Sequence, residues 1–179
     1  AGRSNRGRES LRFSCTMDRT KRVMPPAPIR VAIALGSHLG NREQQLRGAI
    51  AALAPVIAQL RVSSFHETEP VGVEAGQPHF LNAAAVGETT LSAPAVLDVL
   101  LAVERGYGRE RPYAGAPRTV DLDLILYGGD VIERPGIIVP HPRFRDRRFV
   151  LEPLAELAPE WVDPVTGLTI AELLDRMAG

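Results

Sequence analysis

The chain has 179 residues and a mass of 19.4 kDa, enough for one ordinary domain and too little for two of typical size. Basic and acidic residues balance at 21 each, but residues 1–30 hold eight basic groups against only Glu9 and Asp18, so the remainder carries 13 against 19, a net charge of −6. That balance argues against a general nucleic-acid-binding body, and the lack of any lysine beyond Lys21 excludes Schiff-base or phosphate-loop lysine chemistry from it.

The single cysteine, Cys15, offers the body neither a disulfide framework nor a thiolate metal site. The longest uncharged runs, such as residues 48–60, reach 13 residues, short of the roughly 18 that cross a bilayer. A soluble, cytoplasmic chain without membrane partner is expected. Residues 1–28 are rich in Arg and Ser and end in Met24-Pro-Pro-Ala-Pro28, which cannot form regular structure. They read as a disordered basic tail, either a targeting segment or an extension from cloning or a misread upstream start. The domain is expected over 29–179.

Residues 29–35 alternate large and small side chains and predict a buried strand, closed by a turn over 36–40. Asn41 suits a helix N-cap with Glu43 in the first turn, and Leu46, Ile50 and Leu53 continue at helical spacing as far as Pro55. Residues 61–66 read as a second strand, 67–79 as a loop and 80–88 as a third strand. Ser92 and Pro94 open a second helix, with Val96, Leu97, Leu100 and Val103 as its apolar face. A second loop rich in Gly and Pro precedes a fourth strand over 119–127, and short helices follow, clearest at 169–174. The order strand-helix-strand, strand-helix-strand predicts an α+β, ferredoxin-like βαββαβ sandwich with C-terminal helical additions.

Chemistry concentrates in the fourth strand. Alternate residues share a face, so Val120, Leu122, Leu124 and Leu126 are expected in the core, with Asp121 and Asp123 together on the other side. Two carboxylates about 6–7 Å apart repel by roughly 1–3 kcal/mol, and a divalent cation converts that repulsion into a site. Hard oxygen ligands suit magnesium, whose shell is completed by water and phosphate oxygens. The alternative is a solvated strand face, although Asp is depleted from strands. Arginines flank the pair: Arg109, Arg111 and Arg118 before it, then Arg143, Arg145, Arg147 and Arg148. Guanidinium forks match phosphate oxygens, which points to a polyphosphate ligand. Phe80, Phe149 and Asn82 would suit a flat polar heterocycle, with plain core packing the alternative for each Phe.

Several linked motifs sharpen this reading. Ala34-Leu-Gly-Ser-His-Leu-Gly40, Ser63-Ser-Phe-His-Glu-Thr-Glu-Pro70, Gln77-Pro-His-Phe-Leu-Asn82, Ala116-Pro-Arg-Thr-Val-Asp-Leu-Asp-Leu124, Val139-Pro-His-Pro142 and Phe149-Val-Leu-Glu-Pro153 resemble, in order and spacing, the 6-hydroxymethyl-7,8-dihydropterin pyrophosphokinases of folate biosynthesis. The resemblance spans about residues 29–177 and implies magnesium-dependent transfer of pyrophosphate from ATP to the pterin hydroxymethyl group, with AMP released. It implies two magnesium ions on Asp121 and Asp123, a catalytic phosphate-side set of Arg109, Arg111 and Arg118, and Glu104, Arg118, His141 and Arg147 on ATP. It places Thr68, Val71, Phe80, Asn82 and Phe149 on the pterin. A monomer that binds no nucleic acid, with a neighbouring folate enzyme as its potential partner, is the matching expectation.

The sequence departs from that pattern at three places. His38 stands where the family usually has Asn, Gly136 where relatives often carry Arg, and the loop before Pro117 has Tyr113 but no tryptophan. Rival readings are a metal-dependent nucleotidyl or glycosyl transferase, which leaves the pterin-like set unexplained, a non-catalytic ferredoxin-like module, and an RNA-binding sheet, which the acidic body opposes.

Overall fold

Large and small side chains alternate along the first strand because its two faces meet different layers. In the structure, a computed structural model that describes residues 26–69, 79–108 and 119–178, β1 (Ile29–Ser37) sends Val31, Ile33 and Leu35 to one side and Ala32 and Ala34 to the other. The first face is covered by α1 (Arg42–Leu53) and α2 (Ala93–Gly106), which contribute Leu46, Leu53, Val96 and Leu100 to a fully buried core. Both helices start as expected: Asn41 Oδ1 accepts the Gln44 N–H at 3.1 Å, and the Ser92 hydroxyl accepts that of Ala95 at 3.4 Å. The small face is covered by α3 (Arg148–Leu157) and α4 (Ile170–Arg176), whose Leu151, Leu154 and Ile170 close a second core over Ala32, Ala84 and Val86. Each such leucine or isoleucine contributes about 1.5–3 kcal/mol by leaving water.

The sheet has the order β2–β4–β1–β5, with β2 (Ala58–Val62), β4 (Phe80–Thr89) and β5 (Asp121–Tyr127), and β3 (His66–Thr68) also pairs with β4. All pairings are antiparallel, so the ferredoxin-like arrangement is borne out with the second lane split in two. A small hairpin, β6 (Ile132–Arg134) and β7 (Ile137–Val139), follows β5.

Three expectations need correction. Residues 61–66 are not one strand. The backbone leaves the ladder at Ser64, whose N–H and hydroxyl are taken by Glu156 of α3 at 2.9 and 2.7 Å. The 36–40 turn begins later, because Gly36 and Ser37 are still paired with Asn82 and Leu81. Leu126 does not join Leu122 and Leu124. The β1–β5 register shifts between Ala32 and Ile33, which moves Leu126 into the core under α3 and α4 while Tyr127 joins the opposite one. The face that carries the aspartates is therefore a packed interface with α3 and α4 along part of its length, with Asp123 in the row of Ala34 and Ala84 and Asp121 in the row of Gly36. The expected tail falls almost wholly on residues 1–25, outside the described residues.

Candidate active site

Strand register builds the site from one row of residues. Asn82 of β4 and Asp121 of β5 are both paired with Gly36 of β1, and the next row is Ala84–Ala34–Asp123. Paired residues share a face, so Asn82 and the two aspartates look out on the same side, one strand apart, or about 10 Å. Gly36 is the floor between them. A Cβ there would stand 3.3 Å from Asn82 Oδ1.

On the charged side, Asp123 Oδ2 lies 3.6 Å from Arg147 Nη1 and 3.8 Å from His141 Nε2. These are electrostatic contacts, longer than hydrogen bonds. The His141 N–H donates to Ile125 O at 3.0 Å, which ties the segment after β7 to the strand that carries the aspartates. His141 Nδ1 accepts the Arg143 N–H at 3.2 Å, so the neutral ring bears its proton on Nε2 and presents a donor to the site. Burial lowers the His141 pKa, with Arg147 and Arg143 acting in the same direction against the pull of Asp123 and Asp121.

The arginine run 143–148 is sorted by its partners. Arg145 turns away to Asp163, which is fully buried and takes Nε at 2.6 Å and Nη2 at 2.7 Å. Burial would raise the Asp163 pKa, but the bonds from Arg145, Thr166 and the Val165 N–H hold it below the usual carboxylate range. Arg148 pairs with Glu152 on the exposed side of α3 at 2.7 Å. Arg147 remains with Asp123, its guanidinium also 5.7 Å from the Phe149 ring centroid. Glu104 sits at the seam of α2 and β5, 2% exposed, with Oε1 accepting the Leu122 N–H at 2.8 Å. It thus braces the strand between the two aspartates.

On the other side of Gly36, Asn82 is buried and its Nδ2 donates to Thr68 Oγ1 at 2.7 Å. Phe80 is paired with Thr68, and its ring stacks on His38 with centroids 4.0 Å apart and planes within 9°. Phe80 and Phe149 belong to neither apolar core, and Phe149 is 39% exposed, which counts against the plain-core alternative. Thr68, Phe80, Asn82, Asp121, Asp123, His141, Arg147 and Phe149 are carried on β3, β4, β5 and the chain from β7 into α3. Val71, Arg109, Arg111, Arg118 and Tyr113 lie outside the described residues.

Sequence reasoning missed Gly36, the stacking role of His38, and the two anchors Asp163 and Glu156. Gly36 and His38 fall in the expected turn over 36–40, where His38 stands out only as a departure from the family's usual Asn. Asp163 carries no local signal, because its partner is 18 residues away.

The donor set fits magnesium. Asp121 and Asp123, on one face of β5, would supply two hard carboxylate oxygens and leave the rest of the shell to water and ligand oxygens, as magnesium prefers.

The family model described as 7,8-dihydro-6-hydroxymethylpterin-pyrophosphokinase (HPPK) matches residues 32–159. The chain belongs to the HPPK family. It is 42% identical over 147 residues to the 2-amino-4-hydroxy-6-hydroxymethyldihydropteridine pyrophosphokinase of Synechocystis sp., covering 81% of this chain and 74% of that one. It is 45% identical over 127 residues to the Bacillus subtilis protein of the same name, covering 70% and 75%. Among solved structures it is similar to an HPPK-DHPS of Plasmodium falciparum, at TM-score 0.70 and 13% identity, over 85% of this chain and 46% of that one. That likeness shows the fold, and the chain spans less than half of that fused protein. Among the described residues no helix is long and apolar enough to cross a membrane.

Proposed function

We propose that this HPPK-family chain transfers the β,γ-pyrophosphoryl unit of ATP to the hydroxymethyl oxygen of 6-hydroxymethyl-7,8-dihydropterin, releasing AMP, in tetrahydrofolate biosynthesis. The observation that carries the reading is the row Asn82–Gly36–Asp121. In that row the Asn82 amide, with Phe80 two residues before it on the same strand face, stands beside the anionic pair with only the side-chain-free Gly36 between. A transfer reaction needs its acceptor and donor side by side in this way.

Asn82 reads the edge of the pterin while Thr68 keeps its amide oriented, and Phe80 and Phe149 supply apolar faces. Asp121 and Asp123 hold magnesium, which when bound neutralises the triphosphate and polarises the phosphorus under attack. Arg147 and the Nε2 donor of His141 stand beside Asp123, positioned to hold phosphate oxygens. Arg109, Arg111 and Arg118 complete the phosphate side, and Glu104 the nucleotide side. No general base is assigned. Rate acceleration comes from positioning and from charge placed where it develops.

The test is product analysis: protein, ATP, magnesium and 6-hydroxymethyl-7,8-dihydropterin should yield AMP and the pterin diphosphate. ADP in place of AMP would mean single-phosphoryl transfer and overturn the proposal. Chelating magnesium with EDTA should abolish turnover.

A further inference from the structure

Resting on the pterin reading above, we propose that His38 is a positioning residue for the heterocycle. Its imidazole, laid flat on one face of Phe80, fixes that ring so that the opposite face is presented to the substrate. The geometry is a close parallel stack, 4.0 Å between centroids and 9° between planes, tighter than most aromatic pairs. His38 is only 5% exposed, and Phe80 belongs to neither apolar core. The pair is thus a slab built within the site.

Each ring is attached at a different kind of place. His38 leaves β1 directly after Ser37, whose hydroxyl lies 2.7 Å from Gln45 Oε1 and 2.6 Å from the Thr119 carbonyl. Its backbone is therefore tied to α1 and to the approach to β5. Phe80 is the first residue of β4 and is only half-buried. An aromatic side chain at a strand end with no ring against it is free to exchange staggered χ1 wells, and a ligand stacking on it bears the entropy of stopping that motion. His38 stops it before the ligand arrives. Because the imidazole occupies one face of Phe80, a stacked heterocycle has only the other. Asp121, Asp123, His141 and Arg147 lie across Gly36 from Phe80 and Asn82, so the effect should be confined to the acceptor.

Four variants test this: His38→Ala, His38→Asn, which stays polar but has no ring, His38→Phe, which keeps a ring that can stack, and Phe80→Ala. Affinities for 6-hydroxymethyl-7,8-dihydropterin and for a non-hydrolysable ATP analogue with magnesium are measured separately by calorimetry, after melting curves confirm folding. His38→Ala and His38→Asn should weaken pterin binding about 2- to 10-fold and leave the ATP analogue within about 2-fold, while His38→Phe should recover most of the pterin affinity. Unchanged pterin affinity in the Ala and Asn variants, equal losses for both ligands, or a Phe variant as weak as Ala would each overturn the proposal. Phe80→Ala separates the two readings. If it weakens pterin while the His38 variants do not, only the role of His38 fails. If Phe80→Ala also leaves pterin affinity unchanged, the pocket reading itself falls.

Discussion

The two halves of the site, on either side of Gly36, are organised in opposite ways. On the acceptor side the groups already satisfy one another: Asn82 donates to Thr68 at 2.7 Å and Phe80 is stacked on His38. On the charged side Arg147 and His141 face Asp123 at 3.6 and 3.8 Å, contacts of charge more than of hydrogen bonding. Preformed contacts suit a neutral planar ligand, whose binding energy is small and is easily lost to ordering costs. Groups of both charge signs suit a polyanion with cations, whose strong fields act on every one of them. The comparison predicts which ligand each substitution should affect, and by how much.

The largest effect is expected on the charged side. Asp121→Asn and Asp123→Asn should each lower turnover by several orders of magnitude, because each removes a ligand oxygen for magnesium. Their stabilities should change little. Both variants should melt close to the parent, because the like-charge repulsion each relieves is offset by the attraction to His141 and Arg147 that is lost with it. Rates and melting temperatures of the two variants check this, and near-normal turnover in both would make the pair structural.

On the acceptor side, Asn82→Ala should weaken pterin binding by about 5- to 150-fold, the equivalent of an unpaired buried polar edge at about 1–3 kcal/mol, and spare ATP. Separate titrations of the two ligands decide it. Equal losses would mean that Asn82 supports the fold instead of the pocket.

Gly36→Ala tests the boundary itself. The strand conformation accepts alanine, and stiffening the unfolded chain favours it by about 0.4–1 kcal/mol. The new methyl, however, would sit 3.3 Å from Asn82 Oδ1 and push on an amide held by Thr68. Pterin affinity should fall about 5-fold or more while the melting temperature holds. A variant with full pterin affinity would show that the floor of the site has slack.

How much of this was readable from sequence depended on how local each cause was. The helix starts at Asn41 and Ser92 were legible because a cap bonds within three residues, and the shared face of Asp121 and Asp123 because strand alternation is a local rule. The flip of Leu126 was not, since it depends on a register shift opposite Ala32 and Ile33. The break at Ser64 was hidden because its cause, Glu156, lies 92 residues away. The arginine run looked like one phosphate-binding cluster, and only the burial of Asp163 reveals that Arg145 serves the fold. Gly36 was invisible as a site residue for the same reason, because its importance lies in its neighbours across two strands.

The smallest expected effect concerns how the acceptor side is tethered. Glu156 of α3 accepts from the hydroxyl and N–H of Ser64 and contacts the imidazole of His66, two residues before Thr68, so it ties β3 to the helix that carries Phe149. Burial alone would raise its pKa, but those hydrogen bonds and the His66 charge outweigh it and hold the carboxyl below its ordinary value. A carboxyl depressed in the folded state stabilises the protein above its unfolded pKa, near 4.3, and that stabilisation fades as pH falls through the lower folded value. Glu156→Gln should therefore melt a few degrees below the parent at pH 7, with the gap closing as pH falls below the unfolded value and through the lower folded one. The carboxylate is about one-third exposed, at 36%, which keeps the gap small. Asp163 is depressed in the same direction, but it anchors the charged side through Arg145. It is intact in both proteins, so it lowers both melting temperatures in acid and leaves their difference to Glu156. A gap that stays constant from pH 7 to pH 3 would show that Gln disturbs packing and that ionisation of Glu156 contributes nothing to the tether.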